Sequence, residues 1–212
     1  MFALPDPSVL LAYTAACLVL FITPGPDMSL FLSRTLSGGR RHGMAAMLGA
    51  MTGCLIHTLV AALGLSALIA ASQTGFAVLK IVGALYLLWL AWDALKNGSA
   101  LRLKQEAVDT PVWRTFLVGI GINLTNPKIV LFFVTFLPQF VDPADPHAAG
   151  QLVGLGLYFV LITSPPAAVM ILGAERLIGL LARRPRVMRA VDVLFASVFA
   201  LFALRIAVAQ SR

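Results

Sequence analysis

The sequence predicts an all-α polytopic membrane protein, with six transmembrane helices arranged as two inverted three-helix repeats and with helices one and four broken. Three observations predict it. The chain of 212 residues is 59% hydrophobic and 12% charged, with a mean hydropathy of +0.91, where soluble domains average about 25% charged residues. Six apolar runs, 10–32, 44–71, 76–95, 115–137, 152–174 and 188–208, reach the ~20 residues that carry a helix across a ~30 Å hydrocarbon core. The first and fourth runs are interrupted, at corresponding places, by residues that a helix in lipid should exclude.

Strands of a membrane barrel would alternate apolar and polar residues, whereas these runs are apolar throughout, so they read as helices. Little chain remains for a soluble domain. The expected organisation is one transporter domain over 1–212, with repeat one at about 8–96, a cytoplasmic linker at about 97–113 and repeat two at about 114–209. No Lys or Arg precedes Arg34, and the first run is too long for a signal-peptide core, so it reads as a retained helix.

Helix one carries the break Thr23-Pro24-Gly25-Pro26-Asp27. The prolines remove backbone donors, and the carboxylate brings charge into lipid. Gly25 can cap a half-helix whose first residue is Pro26. The freed backbone groups must meet protein or water, so the break should face the bundle interior. A loop is expected over 33–43. Helix two then places Gly43, Ala46, Gly49, Ala50 and Gly53 at near four-residue spacing, a small-residue face that lets another backbone approach, within the chain or across a homodimer. His57, one turn beyond Gly53, reads either as a neutral histidine bonded to a neighbouring helix or as part of a proton or substrate path.

Helix three contains Lys80-Ile81-Val82-Gly83-Ala84-Leu85-Tyr86-Leu87, with Lys80 near the outer face, where it can snorkel, and Trp89, Trp92 and Asp93 towards the inner face. Helix four holds Asn123, Thr125 and the second break, Asn126-Pro127-Lys128. Asn126 suits a cap and Pro127 the first helical position. Lys128 then falls in the first turn, where the helix dipole disfavours a cation, so a negative partner is expected, either Asp27 or an anionic substrate group. In helix five, Thr163-Ser164-Pro165-Pro166 should kink or break the helix. Helix six is apolar sequence flanked by Arg189, Asp192 and Arg205.

The net charge of +7 and the pI near 10.1 are orientation signals and do not point to nucleic acid. Arg34, Arg40 and Arg41 follow helix one; Lys96, Arg102, Lys104 and Arg114 lie between helices three and four; Arg176, Arg183, Arg184, Arg186 and Arg189 lie between five and six. The alternate connections carry no Lys or Arg, which places both termini outside and the basic loops in the cytoplasm, with anionic lipid as a neighbour. Cys17 and Cys54 fall in apolar helices without a Cys-x-x-Cys pair, so they read as small apolar filler, and a thiol-relay protein is the weaker alternative. A cation or metal exporter would cluster ligands at mid-membrane, where Asp27, His57 and Cys54 show no recognisable spacing. No catalytic residue, cofactor or bound metal is expected.

Pro26 and Pro127 stand 101 residues apart, and the same offset pairs Asp27 with Lys128, Leu30 with Leu131, Phe31 with Phe132, Gly49 with Gly150 and Gly53 with Gly154. Three helices per half reverse the second half across the membrane. Broken helices in equivalent positions of inverted halves are the best sequence pointer to a transporter's central site. Thr23, Pro24, Gly25, Pro26, Asp27, His57, Asn123, Asn126, Pro127 and Lys128 are therefore the candidate substrate and proton residues. Asp27 would face a substrate ammonium or carry a proton, and Lys128 would face a carboxylate. The structural alternative is a permanent Asp27–Lys128 ion pair holding the halves together, or an Asp27 that merely satisfies freed amides.

Thr23-Pro24-Gly25-Pro26-Asp27-Met28, the helix-two glycines, the Lys80–Leu87 segment, and Asn126-Pro127-Lys128 through Phe132-Phe133 to Leu137-Pro138-Gln139-Phe140 resemble the LysE/RhtB family of bacterial amino-acid exporters. The homoserine/threonine-exporting branch, with its aspartate after Pro-Gly-Pro, is the most similar. The resemblance implies a secondary transporter, not an enzyme, that exports amino acids or related metabolites across the cytoplasmic membrane against proton influx. Its partners would be an amino-acid substrate, protons and membrane lipid.

Overall fold

Pro7, at the first helical position, opens α1 (Pro7–Ile22), and Pro24 closes it because it cannot donate to the carbonyl four residues earlier. Gly25 is extended, Pro26 takes the first helical position, and α2 runs from Pro26 to Gly38, bent by 51° from α1. In this computed structural model the described residues are 6–71, 110–142, 145–174, 176 and 185–209, with 74, 78, 81, 82, 85, 88, 89, 92, 93, 95 and 96. The expectations placed on Lys80, on linker residues 97–109 and on Arg183 and Arg184 lie outside them.

The loop expected over 33–43 is a single residue. Gly39, at φ 78°, makes the whole turn between α2 and α3 (Arg40–Ala71), in the left-handed region where glycine carries no steric penalty. The polar residues on either side stay helical because one glycine is enough to reverse the chain. Every described residue between Thr74 and Lys96 is helical.

The second broken element mirrors the first. α4 (Val112–Thr125) ends at Asn126, α5 (Pro127–Leu131) begins on Pro127, and the chain continues through a π-helical turn (Phe132–Phe136) and a 3-10 turn (Leu137–Phe140), bent by 55° from α4. α6 (Ala148–Leu172) and α7 (Pro185–Ala209) follow. Of the kink or break expected at Pro165-Pro166, the break does not occur: α6 is one helix with both prolines inside it. The hydroxyls of Thr163 and Ser164, just before them, donate to the carbonyls of Phe159 and Val160, the local bonding by which such residues sit within a helix.

The described secondary structure is helical, without strands. Arg40–Gly64 and Ala148–Leu172 are each long and apolar enough to cross a membrane, and each bent pair passes as one broken span. The described residues thus give up to four candidate spans where the sequence predicts six. Large apolar side chains such as Leu63, Leu161, Val169 and Leu201 are exposed along these helices, which suits lipid and would be a liability in water.

Two apolar clusters hold the helices together. One gathers Tyr13, Leu20, Phe132, Phe133, Phe136, Leu155 and Phe159; the other joins Phe31, Leu32, Met47, Met51 and Ile171. The small-residue face of α3 is used within the chain: a Cβ at Gly49 would run into the Phe116 carbonyl of α4, and one at Gly119 would run into the Ala46 carbonyl of α3. A Gly49→Val variant must push one backbone off the other. Overpacking of this kind costs about 1–3 kcal/mol or more, so the variant is expected to lose much of its monodisperse peak in detergent size-exclusion chromatography.

Before α6, Asp145 organises the turn. Its Oδ1 accepts from the His147 backbone N–H at 2.7 Å, and its Oδ2 accepts from Gln151 Nε2 at 2.8 Å. The His147 backbone N–H is the main cause holding the Asp145 carboxyl below the ordinary aspartate range, and the His147 and Gln151 side chains reinforce it. A carboxyl depressed in the fold stabilises above its unfolded pKa, and that contribution vanishes as pH falls through the folded value. Wild-type protein should therefore lose more melting temperature than Asp145→Asn when detergent samples are taken from pH 6 to pH 3.

Candidate functional site

Proline at 24 removes the N–H that the Leu20 carbonyl would accept in a continuous helix, and the break leaves the Thr23 carbonyl without a helical donor. Lys128 supplies both. Its Nζ donates to Leu20 O at 3.0 Å and to Thr23 O at 2.7 Å, so a lysine from the first turn of α5 caps the C-terminal end of α1, where orphan carbonyls and the dipole favour a cation. The direct hydrogen-bond partners of the Lys128 ammonium are therefore backbone oxygens and not the Asp27 carboxylate. A Cβ at Gly25 would lie 3.2 Å from Nζ, so glycine there keeps the lysine's approach open.

Asp27 reaches the other way. From the first turn of α2 its Oδ2 accepts from Asn123 Nδ2 and from Asn126 Nδ2, each at 3.0 Å. Asn126 also caps α5 as expected, its Oδ1 accepting from the Lys128 backbone N–H at 3.1 Å. The acid of the first break is thus held by amides of the second, and the base of the second by carbonyls of the first. Asp27 and Lys128 do not form an ion pair, which removes the ion-pair form of the structural alternative. Both of their side chains line one small cavity.

Asp27 Oδ1 is buried and has no hydrogen-bond partner. Buried carboxylate oxygens are almost always satisfied, and this one is an acceptor that no described side chain or backbone group uses. The cavity is walled by Asn123, Cys54, Met51, Phe159 and Thr163 besides the two charged residues, and about 40 Å³ of it is open to water-sized spheres.

Asn123 is the hub behind Asp27. Its Oδ1 accepts from the Cys54 thiol at 3.6 Å, and its carbonyl faces His57 Nε2 at 3.5 Å. That carbonyl lies four residues before Pro127, so it too has lost a helical donor. A carbonyl can only accept, so Nε2 carries a hydrogen. The His57 ring stacks on Phe133 at 5.7 Å between centroids. A Cβ at Gly53 would lie 2.5 Å from Asn123 Oδ1, so α3 must be bare there for Asn123 to take its position.

Of the candidate residues, Asp27, Lys128, Asn123 and Asn126 come together. Thr23 contributes its carbonyl, while its hydroxyl turns back to Val19 O at 2.7 Å. Pro24 is buried, whereas Pro26 and Pro127 are exposed and only begin their half-helices. His57 stands behind Asn123, off the cavity wall. Cys54, Met51 and Thr163 were not among the candidates. A signal for Cys54 exists: Met47, Ala50, Cys54, His57 and Ala61 recur at three- and four-residue spacing and are all buried. Cys17 and Cys54 are both free and buried, and among the described residues no three His, Cys, Asp or Glu side chains converge.

The family described as LysE type translocator matches residues 18–210. A membrane protein of Vibrio cholerae, itself uncharacterised, is 32% identical over 92% of this chain and 94% of its own. The homoserine/homoserine lactone efflux protein of Salmonella typhimurium is 30% identical over 90% of this chain and 91% of its own. The Bacillus subtilis membrane protein YrhP is 35% identical over 63% of this chain and 68% of its own. No solved structure matches significantly.

Proposed function

The chain belongs to the LysE type translocator family, and from that premise we propose that it exports small amino acids or close derivatives, homoserine and its lactone among them, across the bacterial cytoplasmic membrane in exchange for protons. The observation that carries the reading is the unpartnered Oδ1 of Asp27, a residue that lines a cavity where two helix breaks cross. A substrate ammonium can donate to that oxygen, and in its absence a proton can occupy it, so the two compete for one acceptor. Lys128 spends two of its three N–H donors on Leu20 and Thr23, which leaves one for a substrate carboxylate. A lactone lacks that carboxylate and would rely on Asp27 alone.

The similar bends of 51° and 55° support an inverted pair of three-helix repeats around this site. The reading includes six spans, termini outside and secondary transport. A homodimer would need a surface other than the α3 face at Gly49, which α4 fills.

The direct test is a growth panel, with cells expressing the protein challenged by toxic levels of individual amino acids, analogues and homoserine lactone. Rescue by a small amino acid or its derivative, lost in Asp27→Asn, is the expected result. Absence of rescue by every compound, at verified membrane expression, would reject amino-acid export.

A further inference from the structure

We propose that a second site, at the end of the bundle where α2 meets α3 and α6 ends, binds the phosphate of an anionic phospholipid headgroup. The site is a cavity of about 420 Å³ lined by Thr35, Gly39, Arg40, Leu172, Gly173 and Arg176, among others. By the same measure it is an order of magnitude larger than the space beside Asp27, so it admits a headgroup. Neither arginine is paired with an acidic side chain among the described residues. Gly39 adds no side chain to the cavity, and a Cβ built there would meet nothing within 4 Å.

Two arginines lining one open cavity, with no acidic partner among the described residues, suit an oxyanion, since arginine offers a planar set of donors to phosphate oxygens. The surroundings favour a lipid as its source over free phosphate. Leu172, at the rim, is 54% exposed, and the exposed side chains of Val169 and Leu161 continue along the same helix, so acyl chains have an apolar surface to follow away from the headgroup. The charge pattern of the sequence puts Arg40 and Arg176 on the cytoplasmic side, the leaflet surface that attracts basic segments. The site lies apart from the Asp27 cavity and shares no lining residue with it.

The test uses the full-length protein in detergent, titrated separately with dioleoylphosphatidylglycerol, dioleoylphosphatidylcholine and inorganic phosphate, with bound lipid counted by native mass spectrometry and protection read by thermal shift. Phosphatidylglycerol should bind in preference to phosphatidylcholine. Arg40→Gln with Arg176→Gln should weaken it about twenty-five-fold, as expected for two basic contacts each worth about fivefold. Arg41→Gln, which alters a neighbouring arginine outside the cavity lining, should leave binding unchanged, and Arg40→Lys with Arg176→Lys should retain much of it, separating loss of charge from loss of fold. Protection by inorganic phosphate equal to that by phosphatidylglycerol, lost in the same double variant, would keep the oxyanion site and assign it to a free anion. Equal binding of the two lipids, or a double Gln variant that binds phosphatidylglycerol like wild type, would overturn the proposal.

Discussion

Asp27→Asn is expected to stop proton-coupled export while leaving the protein folded and inserted. The carboxamide oxygen can take the place of Oδ2 and keep both amide donors, Asn123 and Asn126, satisfied. The NH2 group then falls where the unpartnered Oδ1 stood. A donor now meets the substrate ammonium, and no oxygen remains to carry a proton. Losing one partner of a buried charge-assisted contact costs about 2–5 kcal/mol, so substrate flux in proteoliposomes should fall at least about thirtyfold. The melting temperature should stay within about 4 °C of wild type, the shift that about 1 kcal/mol gives a chain of this size. Flux that still responds to an imposed pH gradient would remove Asp27 from the coupling step.

Lys128→Met should behave differently, losing stability and transport together. The methionine keeps most of the apolar stem but leaves the carbonyls of Leu20 and Thr23 without their donor. An unsatisfied buried acceptor costs about 1–3 kcal/mol, and the penalty at a membrane break is at the lower end where alternative partners are found. A drop on the order of 10 °C in detergent melting is expected for the two together, along with loss of flux. Because α1 ends on this lysine, hydrogen exchange should report loosening around Thr23. A variant as stable as wild type would show that the two carbonyls find other donors.

The two helix breaks were legible. The prolines at 24, 26 and 127 mark the breaks, because a residue without an N–H must end or begin a helix wherever it stands. Asn126 announces its own cap, since an Asx side chain followed by proline at the first helical position is the pattern of a helix N-terminus. The partner of each charge was not legible. Opposite charges suggest an ion pair, but charge attraction has no preferred direction, whereas freed carbonyls and amide donors bond only in narrow geometry. Lys128 therefore went to backbone oxygens and Asp27 to side-chain amides. Asn123 was visible as a polar residue in an apolar run, but its role as hub depends on Gly53 and Cys54, 69 or more residues earlier.

By itself the sequence determined that this chain is helical, apolar enough for lipid and interrupted at two corresponding places, since composition, periodicity and missing backbone donors are local properties. Only the tertiary structure decided that Gly39 alone turns the chain, that α6 runs through its two prolines, that the glycines of α3 receive α4, and that the two breaks satisfy each other crosswise while one oxygen of Asp27 is left open. The last two outcomes depend on which backbones and side chains approach one another, and that is set by the packing of segments about seventy to a hundred residues apart.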